Sequence, residues 1–277
     1  MSDTQQYRVA MPGSFERYRA LGHRTVKGWV EPQTFDVLRT LAEAQDREGI
    51  DGAVAEIGIH HGKLFIALQL LGRSGAPAVA VDVFDDQELN VDQSGRGDRT
   101  RFEANVRRWA DWSSVVVKQD DSTHLTGHDV LELAQGPVRL FSVDGGHTEE
   151  TVIADLRTAE QSLAPGGIVV TDDVFNAEWP GVSVGTLRYL DAGGTLVPFT
   201  IGFNKVYFTD ETYAPRFRET IRQVYGNRWR MAHKTTVFHG SEVEVLWPTP
   251  VTPRAVLRRS RLARKAYDAM TSGRSAR

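Results

Sequence analysis

The chain has 277 residues, of which 40% are hydrophobic and 25% charged, and its net charge is −3. This is the composition of a globular protein that is long enough for one large α/β domain with appendages. The sequence has no cysteine, which excludes a disulfide scaffold and a thiolate metal site. It shows neither an apolar leader nor an apolar run long enough for a membrane span, so we expect a cytoplasmic protein.

The first predicted element is an amphipathic helix in the segment PQTFDVLRTLAEAQDREG. Its spacing places Phe35, Leu38 and Leu41 on one face. Pro32 lies near its start and Gly49 is a typical stop residue. A helix therefore precedes the first strand.

Short apolar runs then alternate with helical stretches. The apolar runs predict strands at 53–57, 78–81, 115–118, 138–143 and 168–170, and the stretches between them predict helices at 63–71, 100–109, 129–134 and 149–163. This alternation indicates a mostly parallel sheet with helices on both faces.

The last part of the chain has a different pattern. The segment TLVPFTIGFNKVYFT predicts two strands, 196–201 and 205–208, joined by a connection so short that they must pair antiparallel. Residues 251–277 contain seven arginines, one lysine and one aspartate. Such a basic tail could contact anionic partners, but we favour a solvated or docking helix, and we expect no nucleic-acid partner.

Sheets of this kind bind ligands beyond the carboxyl ends of their strands. The first strand leads into EIGIHHGK, where Gly58 and Gly62 would let the backbone approach a ligand closely. His60 occupies the position of the second glycine in the dinucleotide fingerprint G-x-G-x-x-G, which argues against a dinucleotide. Glu56 favours an amine-bearing ligand, although a plain strand-to-helix junction would explain the segment equally simply.

Acidic and polar residues also follow the next two strands. Asp82 could accept both hydroxyls of a ribose, and Asp121 with Ser122 could meet an adenine edge. Each of them alone could instead be a helix cap or a turn residue. Their succession on consecutive strands indicates a nucleoside ligand.

These segments resemble a known family. AEIGIHHG, VAVDVF, QDDS, FSVDGGH, LAPGGIVVTDDVF and GFNKVYF, in this order, are similar to the motifs of class I S-adenosylmethionine-dependent methyltransferases. Within that superfamily, residues 52–209 most resemble bacterial metal-dependent O-methyltransferases of natural-product sugars, of the macrocin type, and related cephalosporin-biosynthesis proteins. The resemblance implies a Rossmann-like doubly wound sheet of seven strands, mostly parallel with the last strand antiparallel.

The resemblance also implies a division of the chain and roles for its residues. A helical cap or lid would span 1–51, the cofactor-binding core 52–209, and an extension with the basic helix 210–277. Glu56 and the two glycines of the first motif would surround the methionine end of S-adenosylmethionine. Asp82 would bind the ribose, and Asp121 and Ser122 would face the adenine.

Three carboxylates follow the fourth and fifth predicted strands, namely Asp144, Asp172 and Asp173. Three converging acids favour a bound cation over a turn cap, which needs only one short polar residue. Oxygen ligands without a thiolate favour Mg²⁺ over Zn²⁺, and Mn²⁺ is an alternative. Metal-dependent O-methyltransferases are similar at these three points.

Three further side chains are candidates for catalysis or acceptor binding. His147, in the turn DGGHTEE, could return toward the metal as a general base, with a metal ligand or a helix cap as alternatives. Trp179 could stack on the acceptor or merely cover the sheet edge. His60 could contact the acceptor, although a loop histidine is more often solvated.

The sequence thus predicts an O-methyltransferase that uses S-adenosylmethionine and a divalent metal, with His147 as base, to methylate a hydroxyl of a sugar or other small natural product. The alternatives are a catechol- or phenol-type enzyme, an NAD(P)-dependent oxidoreductase on a similar sheet, and a methyltransferase-like protein without activity. Since the N-terminal helix and the basic tail exceed what one sheet needs for cover, we expect a homo-oligomer, most simply a dimer.

Overall fold

The computed structural model describes residues 12–249, except 74, 87, 91, 92 and 229. The helices are α1 (Pro12–Ala20), α2 (Pro32–Arg47), α3 (Lys63–Leu71), α4 (Arg99–Trp109), α5 (Gly127–Leu133), α6 (Glu149–Ser162), α7 (Pro180–Asp191) and α8 (Ala214–Tyr225). The strands are β1 (Ala53–Ile57), β2 (Ala78–Asp82), β3 (Val115–Gln119), β4 (Val138–Val143), β5 (Leu163–Asp172), β6 (Val197–Gly202), β7 (Lys205–Thr209), β8 (Met231–Phe238) and β9 (Ser241–Pro248).

The nine described strands form one sheet in the order β3-β2-β1-β4-β5-β7-β6-β9-β8. Strands β1 to β5 pair parallel with one another, and β7 is antiparallel to both β5 and β6. The short connection between β6 and β7 predicted the second of these antiparallel pairs. The parallel part reverses its winding between β1 and β4. Ligands of such sheets bind beside this point, at the carboxyl ends of the strands.

The predicted count of seven strands is wrong, because β8 and β9 extend the sheet beyond β6. They form an antiparallel hairpin, and β9 pairs parallel with β6. The turn between them has two residues, His239 and Gly240, with φ angles of 46° and 77°. A two-residue turn with both φ angles positive matches the right-handed twist of the flanking strands. The sequence pattern predicted no strand in this segment.

Both faces of the sheet are covered, as the alternation of strands and helices predicted. On one face, Phe35 and Leu38 of α2 pack with Phe217 of α8 in a cluster that also includes residues of α3 and α4. On the other face, Leu156 of α6 and Tyr189 of α7 belong to a second cluster. This layering buries the strands on both faces, and such strands are mostly apolar. Polar side chains at their carboxyl ends are therefore candidates for ligand binding.

The N-terminal helices belong to the first of these layers. Tyr18 of α1 is buried and donates its hydroxyl hydrogen to the carbonyl oxygen of Lys63, at a distance of 2.7 Å. Trp29, in the connection from α1 to α2, is instead exposed. The predicted basic helix lies outside the described residues, and the domain boundaries and the dimer stay predictions. No described helix has the length and apolar character needed to cross a membrane.

Candidate active site

A cavity of about 470 Å³, here called the site cavity, opens at the carboxyl ends of β1 to β5. Its lining includes every candidate residue of the sequence analysis except one, namely Glu56, Gly58, His60, Asp82, Asp121, Ser122, Asp144, His147, Asp172, Asp173 and Trp179. The exception is Gly62, at the start of α3. A Cβ atom there would lie 2.6 Å from the Phe102 ring, so packing and a φ of 85° explain this glycine.

Gly58 brings the ends of β1 and β4 together. Its φ is 87°, and a Cβ atom at this position would lie 1.6 Å from the carbonyl oxygen of Asp144. Because only glycine has no Cβ, the two backbones can approach this closely. The Gly58 turn therefore forms the floor of the site cavity directly beside the first acid of the predicted metal site.

Glu56 is a buried carboxyl at the centre of this floor. Its Oε2 atom has no hydrogen-bond partner. Burial raises the pKa of Glu56 to about 8, although the Lys205 ammonium opposes this shift. A buried acceptor without a partner is costly, and a cationic ligand in the site cavity would supply one.

Asp82 is held in place by the backbone. Its Oδ2 atom accepts the N–H of His60 at 2.7 Å and its Oδ1 atom accepts the N–H of Phe84 at 2.5 Å. Burial raises the pKa of Asp82, while these two hydrogen bonds lower it. Since each carboxylate oxygen has two lone pairs, both can still accept a hydroxyl from a ligand.

Asp121 is a helix cap, which was one of the two alternatives to a ligand-binding role. It caps the short 3₁₀ helix Ser122–His124 by accepting the N–H of Thr123 at 2.9 Å. Ser122 is buried. Both nevertheless line the site cavity, so the capping interaction also orients this part of its wall.

Asp155 of α6 is a fully buried carboxyl behind this wall. Burial raises the pKa of Asp155 to about 7. The unfolded chain releases this proton near pH 3.8, so folding takes up a proton between pH 4 and 7 and stability falls as the pH rises through that window. We expect Asp155→Asn to gain stability relative to wild type between pH 5 and pH 8, by at most a few kcal/mol. Urea unfolding at both pH values checks this. The exposed Glu150→Gln on the same helix is the control, and equal shifts in both variants would contradict the assignment.

Asp144, His147 and Asp173 form the polar centre of the site. One ligand atom from each lies within 4.8 Å of the other two, which is a spacing that could hold a metal ion. Although desolvation opposes ionisation, hydrogen bonds from His147, Asn176 and Asn204 lower the pKa of Asp173 to about 2. Burial and the charge of Asp172 instead raise the pKa of Asp144.

Asp172 is placed differently from the other two acids. It forms a buried ion pair with Lys205, whose Nζ lies 2.5 Å from Asp172 Oδ2. Asp172 Oδ1 accepts the backbone N–H of Asp173 at 2.9 Å and the amide of Asn204 at 3.1 Å. Although burial opposes the ammonium charge, Asp172 and Asp144 raise the pKa of Lys205. Asp172 thus lines the cavity but is not part of the three-residue donor group.

This arrangement fits a divalent cation. The Lys205 ammonium balances one of the three aspartates, which leaves two carboxylates, Asp144 and Asp173, side by side in a poorly solvated cavity. Like charges so placed repel each other. A divalent cation would neutralise both, and carboxylate oxygens are the ligands that Mg²⁺ prefers.

His147 lies against both an acid and an aromatic ring. Its Nε2 atom is 3.2 Å from Asp173 Oδ2, and its ring stacks on Trp179 with the centroids 4.2 Å apart. An ionised Asp173 only accepts, so His147 Nε2 is the donor in this contact. His60, the other candidate histidine, stacks on His61 and lies beside Trp29, at centroid distances of 4.1 and 5.2 Å.

Three side chains that hold the acids in position were not predicted from the sequence, namely Asn176, Asn204 and Lys205. Asn176 and Asn204 each donate to Asp173 Oδ1 at 2.6 Å. The signal for Lys205 was its place at the start of the apolar run KVYF, which becomes a fully buried strand. A lysine there needs a buried partner.

Comparison with known proteins gives the context for this site. Residues 55–174 match the family model described as a methyltransferase domain. The fold is similar to that of the O-methyltransferase NovP, at 15% sequence identity and a TM-score of 0.51, over 65% of this chain and 80% of that one. No curated protein matches the sequence.

Two further solved structures are similar at lower scores. CalS11, a TDP-rhamnose 3'-O-methyltransferase of calicheamicin biosynthesis, is 17% identical with a TM-score of 0.47, over 70% of this chain and 86% of that one. MycE, a methyltransferase of mycinamycin biosynthesis solved with Mg, SAH and mycinamycin VI, is 16% identical with a TM-score of 0.46, over 74% of this chain and 55% of that one.

Proposed function

We propose that this chain is a class I S-adenosylmethionine-dependent methyltransferase. It would transfer the methyl group to a hydroxyl of a sugar or other small natural product with the aid of a divalent metal. The observation that carries the proposal is the Asp144, His147 and Asp173 donor group beside the Gly58 turn. This arrangement would place a methyl donor, an acceptor oxygen and a base within one cavity.

The chain offers complementary groups along the length of the methyl donor. The unpartnered Glu56 Oε2 would accept from the ammonium of the methionine end, with the open backbone of Gly58 beside it. Asp82 would accept the ribose hydroxyls, and the wall at Asp121 and Ser122 would face the adenine. When bound, S-adenosylmethionine supplies a methyl group already activated by its positive sulfur.

The acid cluster would orient the acceptor. Asp144 and Asp173 would hold the divalent cation, with Asp172 as a third ligand steadied by Lys205. When bound, the cation supplies positive charge that favours the deprotonated form of an acceptor hydroxyl. Two adjacent hydroxyls would suit such a site, which favours a vicinal diol in a sugar over an isolated alcohol.

His147 would take the acceptor proton, and its contact with Asp173 through Nε2 would orient the ring. The acceptor oxygen forms a new bond to the methyl carbon, and the electron pair of the broken S–C bond stays on sulfur, which becomes a neutral thioether. Trp179 would fix the imidazole ring by stacking. Holding the partners in line can contribute about 7–11 kcal/mol to the lowering of the barrier.

We predict that Asp82→Ala weakens S-adenosylmethionine binding by about tenfold or more, because two hydrogen bonds to a charged group contribute about 1.5–3 kcal/mol each. Isothermal calorimetry measures the affinity. Asp85→Ala, in the same loop but absent from the cavity lining, is the matched control. An unchanged affinity in Asp82→Ala would remove Asp82 from the binding site.

The experiment that tests the function is a screen of glycosides, catechols and simple phenols with a labelled methyl donor and Mg²⁺. We expect label in the glycosides that carry a vicinal diol. Transfer to catechols alone would replace the acceptor class, and retention of an endogenous nicotinamide cofactor by the purified protein would support the oxidoreductase alternative.

A further inference from the structure

Lys205 is a buried cation beside the acids of the site. It is 2% exposed, and it is the direct partner of Asp172 in the antiparallel pairing of β7 with β5. Its Nζ atom lies 2.5 Å from Asp172 Oδ2. Although burial opposes the charge, Asp172, Asp144 and Glu56 raise the pKa of Lys205 above its ordinary value, so the side chain is an ammonium ion at neutral pH.

Stability alone does not require this ion pair. The desolvation of two buried charges can exceed their attraction, and replacing such a pair by apolar residues of similar volume is often neutral or stabilising. The next residues of β7 are apolar and buried, namely Val206, Tyr207 and Phe208. An apolar pair at the positions of Asp172 and Lys205 would continue the same layer. The lysine is therefore better explained by the acids beside it than by packing.

The ammonium acts on a bound cation through its charge. A protonated lysine has no lone pair, so it cannot be a metal ligand. It balances one of the three carboxylates, and the amides that hold these acids, Asn176 and Asn204, are neutral. Glu56 keeps its proton up to about pH 8, and a base requires His147 in its neutral form. The ionised acids and the ammonium together therefore carry two negative charges.

This charge matches a divalent cation with the opposite sign. A divalent ion would make the site neutral, whereas a trivalent ion would leave an excess positive charge in a poorly solvated cavity. Such an excess is costly, because burial removes the water that would stabilise it and a low effective dielectric strengthens the repulsion. Without the ammonium, the same three carboxylates would match a trivalent ion.

We propose that Lys205 sets the charge of the cation that the acid cluster accepts, and that it selects divalent over trivalent ions without contacting them. This inference rests on the proposed function, because it assumes the metal site, and it adds a specificity-determining residue to that site. In an effective dielectric of about 20, two unit charges about 12 Å apart still repel by the equivalent of a tenfold change in affinity. Lys205 is bonded directly to a proposed ligand, so its effect should be larger.

The test compares the affinities of Ca²⁺ and Tb³⁺, two ions of nearly equal size that differ in charge. Calorimetry measures the first, and Tb³⁺ luminescence sensitised by Trp179 measures the second, since that ring stacks on His147 in the donor group. Four forms of the chain carry three different site charges. Lys205→Met has three negative charges, Asp172→Asn has one, and both wild type and the double variant with these two substitutions have two.

We expect the ratio of Tb³⁺ to Ca²⁺ affinity to follow the site charge. It should rise about tenfold or more in Lys205→Met and fall by about as much in Asp172→Asn. In the double variant the ratio should return toward the wild-type value, although both ions bind more weakly because one ligand is lost. If Lys205→Met does not fold, Asp172→Asn and the double variant carry the same comparison, because they differ at residue 205 alone.

Lys118→Met is the matched control. Lys118 of β3 also pairs with an aspartate, Asp120, and its substitution changes the net charge of the chain by the same amount. It does not line the site cavity, and its side chain is 44% exposed. The affinity ratio in Lys118→Met should equal that of wild type.

A ratio that stays constant across the four forms would assign Lys205 a structural role and would overturn the inference. A double variant with the ratio of Lys205→Met would also overturn it, since these two forms differ in site charge. Titration of wild type with Mg²⁺ separates this inference from the proposed function. If wild type binds no Mg²⁺, the proposed metal site fails and the inference with it. If wild type binds Mg²⁺ and the ratio does not follow the site charge, the inference alone fails.

Discussion

Exhaustive chelation of the purified protein is expected to lower methyl transfer at least about 100-fold and to leave S-adenosylmethionine binding largely intact. The loss follows from the two carboxylates, Asp144 and Asp173, that Lys205 does not balance. A Lewis acid at such a site contributes several kcal/mol to transition-state stabilisation, and each 1.4 kcal/mol corresponds to about a factor of ten in rate. Cofactor binding should persist because the groups proposed for it follow β1, β2 and β3.

The measurement is methyl transfer before chelation, after it, and after stepwise return of Mg²⁺, with cofactor affinity followed in parallel by calorimetry. Asp144→Asn and Asp173→Asn should abolish the recovery. Asp172→Asn should show weaker metal affinity that excess Mg²⁺ partly restores. The exposed Asp191→Asn on α7 is the matched control and should behave as wild type. Full activity of the metal-free protein would leave the three acids as structural or acceptor-binding groups.

The parallel half of the fold could be predicted because each strand is a short apolar run followed by a helical stretch. The run at 138–143 became β4 with the predicted bounds, and the run at 168–170 lies in the C-terminal half of the longer β5. The hairpin of β8 and β9 could not be read in the same way. Its exposed positions mix polar and apolar residues, such as Lys234, Val237 and Trp247. Its place in the sheet depends on pairing with β6, which is distant in sequence.

In the candidate site too, some features could be predicted from the sequence and others could not. Asp144 and Asp173 could be expected to approach each other, since parallel neighbours end at the same edge of a sheet. The ion pair of Asp172 with Lys205 could not be predicted from the sequence. It depends on the register of the antiparallel β5–β7 pair, in which these two residues are direct partners. The supporting amides of Asn176 and Asn204 depend on turns after β5 and β6, whose conformation no sequence period reveals.

The pairing of Asp172 with Lys205 also explains why several acidic side chains can lie close together in the site cavity. Three aspartates beside a buried glutamate would be strongly destabilising, but Lys205 balances Asp172, and Glu56 holds its proton up to about pH 8. The two acids that remain are the two grouped with His147. Burial and the charge of Asp172 raise the pKa of Asp144, so a cation beside Asp144 and Asp173 would stabilise the ionised form of both.

His147→Ala is expected to retain metal and cofactor binding and to lose about 10²–10⁴-fold in methyl transfer rate, which is the usual contribution of a general base. The matched variant is Trp179→Leu, which removes the stacked ring but keeps the imidazole, and it should lose much less. Three measurements decide the role of His147, namely metal content by elemental analysis, cofactor affinity by calorimetry, and the rate as a function of pH. In wild type, the rate should rise with pH as the general base loses its proton. In His147→Ala, solvent must act as the base, so activity should recover as the pH increases. If His147→Ala instead loses the metal, His147 is a ligand beside Asp144 and Asp173, and the base must be sought elsewhere in the cavity lining.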